Sequence, residues 1–500
     1  MKKNLTLLLT VLFSCTLSAQ TISEYQKKQK AEMQKFQQAN AEGTNQLQKE
    51  YADFVSKRDA EWADYLRKEW EQFSVFAGKG MPLKPKPRTI PTYLPPVKPL
   101  VPQPNAPAIK PIVVQPVVVV PKPTPPPVAP ICKPAEDVIN GNTANINFYG
   151  RSFSFVYDAA LAKCALSTVS KEGITAFWES TSACNYTPTV EKLQNAKLEM
   201  KINDYGYFLL TQKLAKNLYP ENENTSRLLT WFLLVRSGYG VRVAIQQNEV
   251  VLLVPSNQQI YQNSFLTIGG VNYYIFPKGQ GGSLFTYDKD YASTAQGVNL
   301  NFSNSIYFAG RKTEKSLSFN FDNKPYTIHV DYDPDLIEFF KSYPQAEFSV
   351  YFNAATSAQA KQSLVSALKP YTSQMDELKA VNFLLHFVQT AFEYKTDNEQ
   401  FAREKYFFAE ELFYYPYSDC EDRSVLFSYL VREIMGLSVI GLNYPNHMAT
   451  AVAFTANVNG DYMMYKNKRY VVSDPTYINA NVGMSMPQFK GVSPLVIDID

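Results

Sequence analysis

The chain has 500 residues, 45% of them hydrophobic and 14% aromatic, with a formal charge of +3. That is material for more than one packed core, and the charge is too small and too evenly spread to argue for nucleic acid. Of the cysteines beyond the first 19 residues (Cys132, Cys164, Cys184 and Cys420), no two stand at metal-ligand spacing with a histidine nearby, so neither a metal nor another cofactor is expected.

Met1-Lys2-Lys3, the apolar run Leu5 to Phe13 and the small-residue site Leu17-Ser18-Ala19 read as a signal peptide over residues 1–19. The mature chain is then exported, to the periplasm or cell envelope or to the medium. A rival reading makes Cys15 the lipidated first residue of a lipoprotein. No later stretch reaches the ~18 to 20 apolar residues of a spanning helix. In an oxidising compartment Cys164 and Cys184 are the favoured pair for a disulfide.

Residues 20–79 are polar and rich in Lys, Glu and Gln, with Leu47, Tyr51, Phe54, Trp62, Leu66, Trp70 and Phe73 at three-to-four spacing. This predicts a long amphipathic helix or weak coiled coil, with a face for self-association, or else a solvated spacer helix. Residues 80–134 hold about 19 of the 32 prolines and predict an extended polyproline linker, on the order of 150 Å if fully drawn out.

From Ala135 the composition is that of a packed globule, and two parts of it look alike. In the first, Glu223 to Arg227 precedes the apolar run Leu228 to Val235, and two strand-like segments follow at Gly240 and Glu249. In the second, Asp419 to Arg423 precedes Val425 to Val431, with strand-like segments at Gly436 and His447. Aligning Arg227 with Arg423 sets Asn224 against Cys420, and a shift of two more residues sets Glu249 against His447. The expectation is a degenerate copy over 135–280, a β-rich unit over 281–370 with a turn at Asp322-Asn323-Lys324-Pro325, and a catalytic copy over 371–500.

The chemistry concentrates in the last copy. Cys420 heads an apolar helical run, His447 opens a strand and Asp474 closes another, with 27 residues from each to the next. The other two histidines, His329 and His386, sit in an alternating run and an apolar helix and read as structural. A thiol needs help to ionise near neutrality. The helix start favours a thiolate, whereas Asp419, Glu421 and Asp422 oppose it, so His447 should carry the activation, with Asp474 orienting the ring.

The blocks Asp419-Cys420-Glu421-Asp422-Arg423, Tyr444-Pro445-Asn446-His447 and Asp474-Pro475-Thr476-Tyr477 resemble those of the transglutaminase-like, papain-like cysteine superfamily, over about Tyr371 to Met486. The resemblance implies an α+β fold with the nucleophile on a helix packed against an antiparallel sheet that bears the His and Asp. Cys420 would be the nucleophile, His447 the general base and acid, and Asp474 the orienting residue. For the oxyanion the candidates are Tyr415, Tyr417 and Gln400 beside the Cys420 backbone N–H. The activity so implied is that of a cysteine peptidase or amidase working through a thioester on a peptide or protein substrate, such as a cell-envelope polymer. A protein-glutamine amine transferase and an inactive binding module on a stalk stand as alternatives.

Overall fold

The computed structural model describes residues 46–82, 86, 89, 91–94, 132–133, 141–278, 281–292 and 295–499. The signal-peptide segment with Cys15, the first part of the N-terminal helix and most of the Pro-rich tract lie outside the described residues. Among the described residues no helix is long and apolar enough to cross a membrane.

Helix α1 covers residues 46–68 and gives way to strand β1 (Glu71–Val75), short of the helix expected to continue to about residue 78. The reason is local alternation: Phe73 and Val75 share a face and pack on the layer of Leu284 and Ile275, which a helical period would not allow. The apolar stripe of α1, Val55, Trp62 and Leu66, is buried within the chain. Trp62 packs edge-on against Trp178 and Tyr287, and Asp59 forms a buried ion pair of 2.5 Å with Arg236. Leu47, Tyr51 and Phe54 stay exposed at the other end.

The first half continues with the hairpin β2 (Gly141–Phe148) and β3 (Arg151–Asp158). Four helices follow: α2 (Lys171–Ala183), α3 (Thr187–Met200), α4 (Asp204–Leu218) and α5 (Glu223–Arg236). Asn222 caps α5 by accepting from the Thr225 N–H. Next come β4 (Arg242–Gln246), β5 (Glu249–Ser256), β6 (Phe265–Ile268), β7 (Val271–Phe276) and β8 (Gly282–Thr286), forming a sheet in the order β1-β8-β4-β5-β7-β6. Cys164 and Cys184, the expected disulfide pair, come together with sulfurs 3.6 Å apart as two free thiols.

The middle of the chain is a single hairpin, β9 (Thr313–Phe321) and β10 (Lys324–Tyr332), with Asp322 and Asn323 both at positive φ in the expected turn. Helices α6 (Pro334–Lys341), α7 (Phe348–Phe352), α8 (Ala358–Thr372) and α9 (Glu377–Thr390) follow. A two-stranded ribbon has one small apolar face and cannot form a core alone. Leu317, Phe319, Phe321, Ile328 and Val330 instead bury into the common core, with Phe319 and Phe321 edge-on to Phe383 of α9. The β-rich unit expected over 281–370 is therefore a hairpin joined to helices.

The last part holds β11 (Glu393–Tyr394), α10 (Asp397–Phe401), β12 (Tyr417–Ser418) and α11 (Cys420–Leu430). It ends with β13 (Ser438–Tyr444), β14 (His447–Ala453), β15 (Tyr462–Tyr465), β16 (Lys468–Ser473) and β17 (Leu495–Ile497). These five strands form a sheet in the order β15-β16-β14-β13-β17. Counted from the strand after each long helix, the first sheet inside its edge strand β1 reads fifth, first, second, fourth, third, the second sheet reads the same from its β17 edge, and every pairing in both is antiparallel. The molecule is a mixed α+β protein whose helices and sheets share one large apolar core.

Candidate active site

Helix α11 is delivered to the centre of the second half by the parallel pairing of β12 with β11. Its head is polar yet fully covered. Asp422 accepts from the Asp419 N–H at 3.1 Å and from the Phe407 N–H at 3.0 Å. Arg423 donates to Ser418 Oγ and to the backbone carbonyls of Gln389 and Phe392 at 3.0 and 2.7 Å, so it fastens the helix to the end of α9. Burial in this layer lowers its pKa to about 10. Ser424 Oγ, one turn on, donates to the Met448 carbonyl and ties α11 to β14.

Cys420 lies in the first turn, 1% exposed, and its Sγ donates to Glu421 Oε2 at 2.9 Å. Burial first, then the charges of Glu421 and Asp419, push the thiol pKa well up. The repulsion by neighbouring acids that the sequence predicts is thus present, and it adds to the larger effect of burial.

His447 and Asp474 do come together: Nε2 lies 2.7 Å from Asp474 Oδ2, with both side chains buried. Asp474 Oδ1 accepts from the backbone N–H groups of Thr476 and Tyr477, which fixes the carboxylate at the end of β16. The imidazole lies flat against Phe489, 5.2 Å between ring centres with planes 8° apart. Strand alternation explains this placement. Met448 and Val452 face the helices, whereas Tyr444, Ala449 and Ala451 pack in the cluster on the opposite face with Phe489, and His447 follows their parity. The Cys420 thiol and the His447 ring therefore belong to different layers, and the thiol's hydrogen bond goes to Glu421, not to His447. Of the three predicted residues, the fold joins two directly and brings the third to the neighbouring helix head.

The most unexpected member of the site is Lys86, from the segment read as a linker. Its side chain is 1% exposed, and its Nζ lies 2.5 Å from Asp419, 2.6 Å from Glu421, 3.2 Å from Glu404 and 3.4 Å from Asp397. Burial pulls the lysine pKa down, but the carboxylates more than offset it, and the net shift is upward. Asp397 is itself pushed up to about 7, mainly by burial. The linker is thus docked over its described part: the Thr92 region forms a parallel bridge to Ile478, with Tyr93 N–H donating to the Ile478 carbonyl and Ile478 N–H to the Pro91 carbonyl. Sequence reasoning missed Lys86 because proline-rich composition reads as spacer. The one available signal was the surplus of acids in Asp419-Cys420-Glu421-Asp422, which needs a countercharge from elsewhere once buried.

The oxyanion candidates separate clearly. The Tyr415 ring stacks on Phe407, and Tyr417 lies under Lys395. Gln400, on α10, has both amide atoms buried and without a hydrogen-bond partner, and the first N–H of that helix donates to Asp419. Among the described residues, the carboxylates of Asp397, Glu404 and Glu421, and of Asp419 and Glu421 with the Cys420 sulfur, lie close enough to share a cation, and the ammonium of Lys86 stands among them. His386 bonds Asn481 and His329 bonds Ser316, both outside this site. No family model matches the chain, and neither curated proteins nor solved structures give a match.

Proposed function

We propose that this protein is an exported, latent cysteine hydrolase of the transglutaminase-like, papain-like type, acting on a peptide or amide bond. Its first half would be a diverged copy of the second that lacks the reactive side chains. The observation that carries the reading is the buried His447–Asp474 pair, at the start of the strand against which the helix headed by Cys420 packs. Asp474 takes up Nε2 and leaves Nδ1 to exchange a proton with a thiol. Gln400, with an unengaged buried amide on the helix whose first N–H donates to Asp419, is the strongest side-chain candidate for an oxyanion donor.

In the reaction, His447 takes the thiol proton and the sulfur bonds to the substrate carbonyl carbon. The C–N bond then breaks, and the leaving amine receives that proton. Water, deprotonated by the same imidazole, releases the acid and restores the thiol. For this the Cys420 side chain must leave Glu421 and the imidazole must turn from Phe489, and until both have moved the enzyme is latent.

A second reading, a catalytically silent binding module, is favoured by the Cys420–Glu421 hydrogen bond and the burial of the thiol. The two are separated by labelling the purified chain with iodoacetamide and with a peptidyl acyloxymethyl ketone. An enzyme should react with the ketone at Cys420 at least tenfold faster than with iodoacetamide, with the ketone rate lost in Cys420→Ala and cut at least tenfold in His447→Ala. Equal slow labelling by both reagents, indifferent to His447, would leave the binding module.

A further inference from the structure

The pocket around Lys86 is more acidic than a structural ion pair requires. One ammonium meets Asp397, Glu404, Asp419 and Glu421, each buried, while the Oδ1 atom of Asp419, whose side chain is 0% exposed, has no hydrogen-bond partner. Burying one ion pair already costs desolvation that its attraction repays only with good geometry, and extra acids add to the cost. Four carboxylates around a single Nζ form a receptor for a compact positive charge at the end of an aliphatic stem.

The chain that delivers this lysine is held in a way that another polypeptide could copy. Pro91 to Tyr93 run beside Ile478 through two main-chain hydrogen bonds of 2.9 and 2.7 Å, and the Tyr93 ring sits edge-on to Tyr477. Main-chain pairing along an extended segment, with one side chain dropping into a selective pocket, is a general mode of peptide recognition. The main-chain bonds supply affinity without regard to sequence, and the pocket supplies the choice of side chain.

We propose that the carboxylate pocket of Asp397, Glu404, Asp419 and Glu421 is a binding site for the primary ammonium group of a lysine on an extended segment of another polypeptide, and that Lys86 occupies it in cis. As part of the same chain, Lys86 competes at an effective concentration on the order of millimolar. An incoming lysine peptide is therefore excluded until the Lys86 ammonium leaves the pocket. The site adjoins the Cys420 sulfur through Glu421, so an occupant there lies beside the thiol whether or not the thiol reacts. Nothing in this binding step requires a thiolate, and the inference stands apart from the hydrolase reading.

The test uses the full chain and a fluorescent peptide of residues 84–94, unmodified or acetylated on the lysine matching Lys86, read by fluorescence anisotropy. Two variants free the pocket differently: Lys86→Met removes the internal occupant, and Tyr93→Pro removes the N–H that holds the segment while leaving every pocket charge in place. Both should bind the unmodified peptide at least tenfold more tightly than the unaltered chain, and acetylation should weaken binding at least tenfold. If Lys86→Met does not melt cooperatively, Tyr93→Pro decides alone. Three outcomes overturn the proposal: no binding by a folded variant, equal binding of the acetylated peptide, or uptake of calcium or magnesium in place of the peptide by Lys86→Met.

Discussion

The two helix-and-sheet units share one plan and differ in what stands at its centre. In each, a long helix packs on a hairpin whose second strand begins after a two-residue turn, at Glu249 in the first and His447 in the second. In each, that strand then pairs with the fourth strand, in matching register: Leu252 faces Phe276 and Thr450 faces Ser473. The places of Cys420, His447 and Asp474 are taken in the first unit by Asn224, Glu249 and Pro277. Asn224 accepts from the Val250 N–H and Arg227 bonds Glu249, so there the helix head merely clamps its own strand with partly exposed polar contacts. The second unit instead buries acids, a thiol and an imported lysine at the corresponding helix head. One topology thus supports either a closed structural joint or a charged, buried cluster, and a few side chains decide which.

Lys86 offers the sharpest way to break that contrast. Lys86→Met leaves Asp397, Glu404, Asp419 and Glu421 without their common cation, and uncompensated buried charge costs about 3–5 kcal/mol. The matched change in the first unit, Lys216→Met, removes an exposed pair with Glu223 near the head of α5 and should cost about 0–1 kcal/mol. Urea unfolding of the two variants beside the unaltered chain checks this. Equal losses would mean the buried cluster is no more demanding than a surface pair.

The next largest effect is on pH dependence. Asp397 is pushed up to about 7 by burial, and Glu410, beneath α8, is also pushed up to about 7 by burial. Carboxyl groups with folded-state pKa values above their unfolded values bind more protons in the native state. Their contribution to stability is therefore complete below about pH 4 and is lost as pH rises through about 7, worth on the order of 3 kcal/mol for Glu410. Both groups are buried in the fold, so the melting transition should fall between pH 5 and 8 in calorimetry. A transition that rises over that interval would show these groups ionising freely in the fold.

The smallest effect separates the helix ends. The π-turn after α11 (residues 431–435) stops at Gly436 in a left-handed conformation, φ 67°, with open space where a Cβ would stand. Gly436→Ala should therefore cost about 1 kcal/mol from backbone strain alone. Thermal melting and unchanged peptide labelling together check that the loss is local.

Much of this arrangement can be read along the chain. The alternation of Leu317, Phe319 and Phe321 and the Asp322-Asn323 turn mark a hairpin, and the apolar run Val425 to Val431 behind Asp419 marks a capped helix. Those are local preferences, set within a few residues. The pairing of His447 with Asp474 was legible too, because a hairpin and a neighbouring strand bring such positions together whenever register follows the apolar pattern. The layer into which each side chain points was not. His447 turns towards Phe489 because of strand parity at its first residue, and Cys420 turns towards Glu421 because a lysine more than 300 residues earlier neutralises that acid.

The amino-acid sequence by itself determined the β9–β10 hairpin with its turn, the helix behind Asp419, the likeness of the two units and the candidates for thiol chemistry, since each depends on short-range periodicity and side-chain type. Only the tertiary structure decided that part of a proline-rich segment docks on the globule, that four carboxylates converge on one ammonium, and that burial and neighbouring acids push the thiol pKa up. Those outcomes depend on burial and on charges distant in the chain, and the energy of a buried charge is set by whichever neighbours the completed fold supplies.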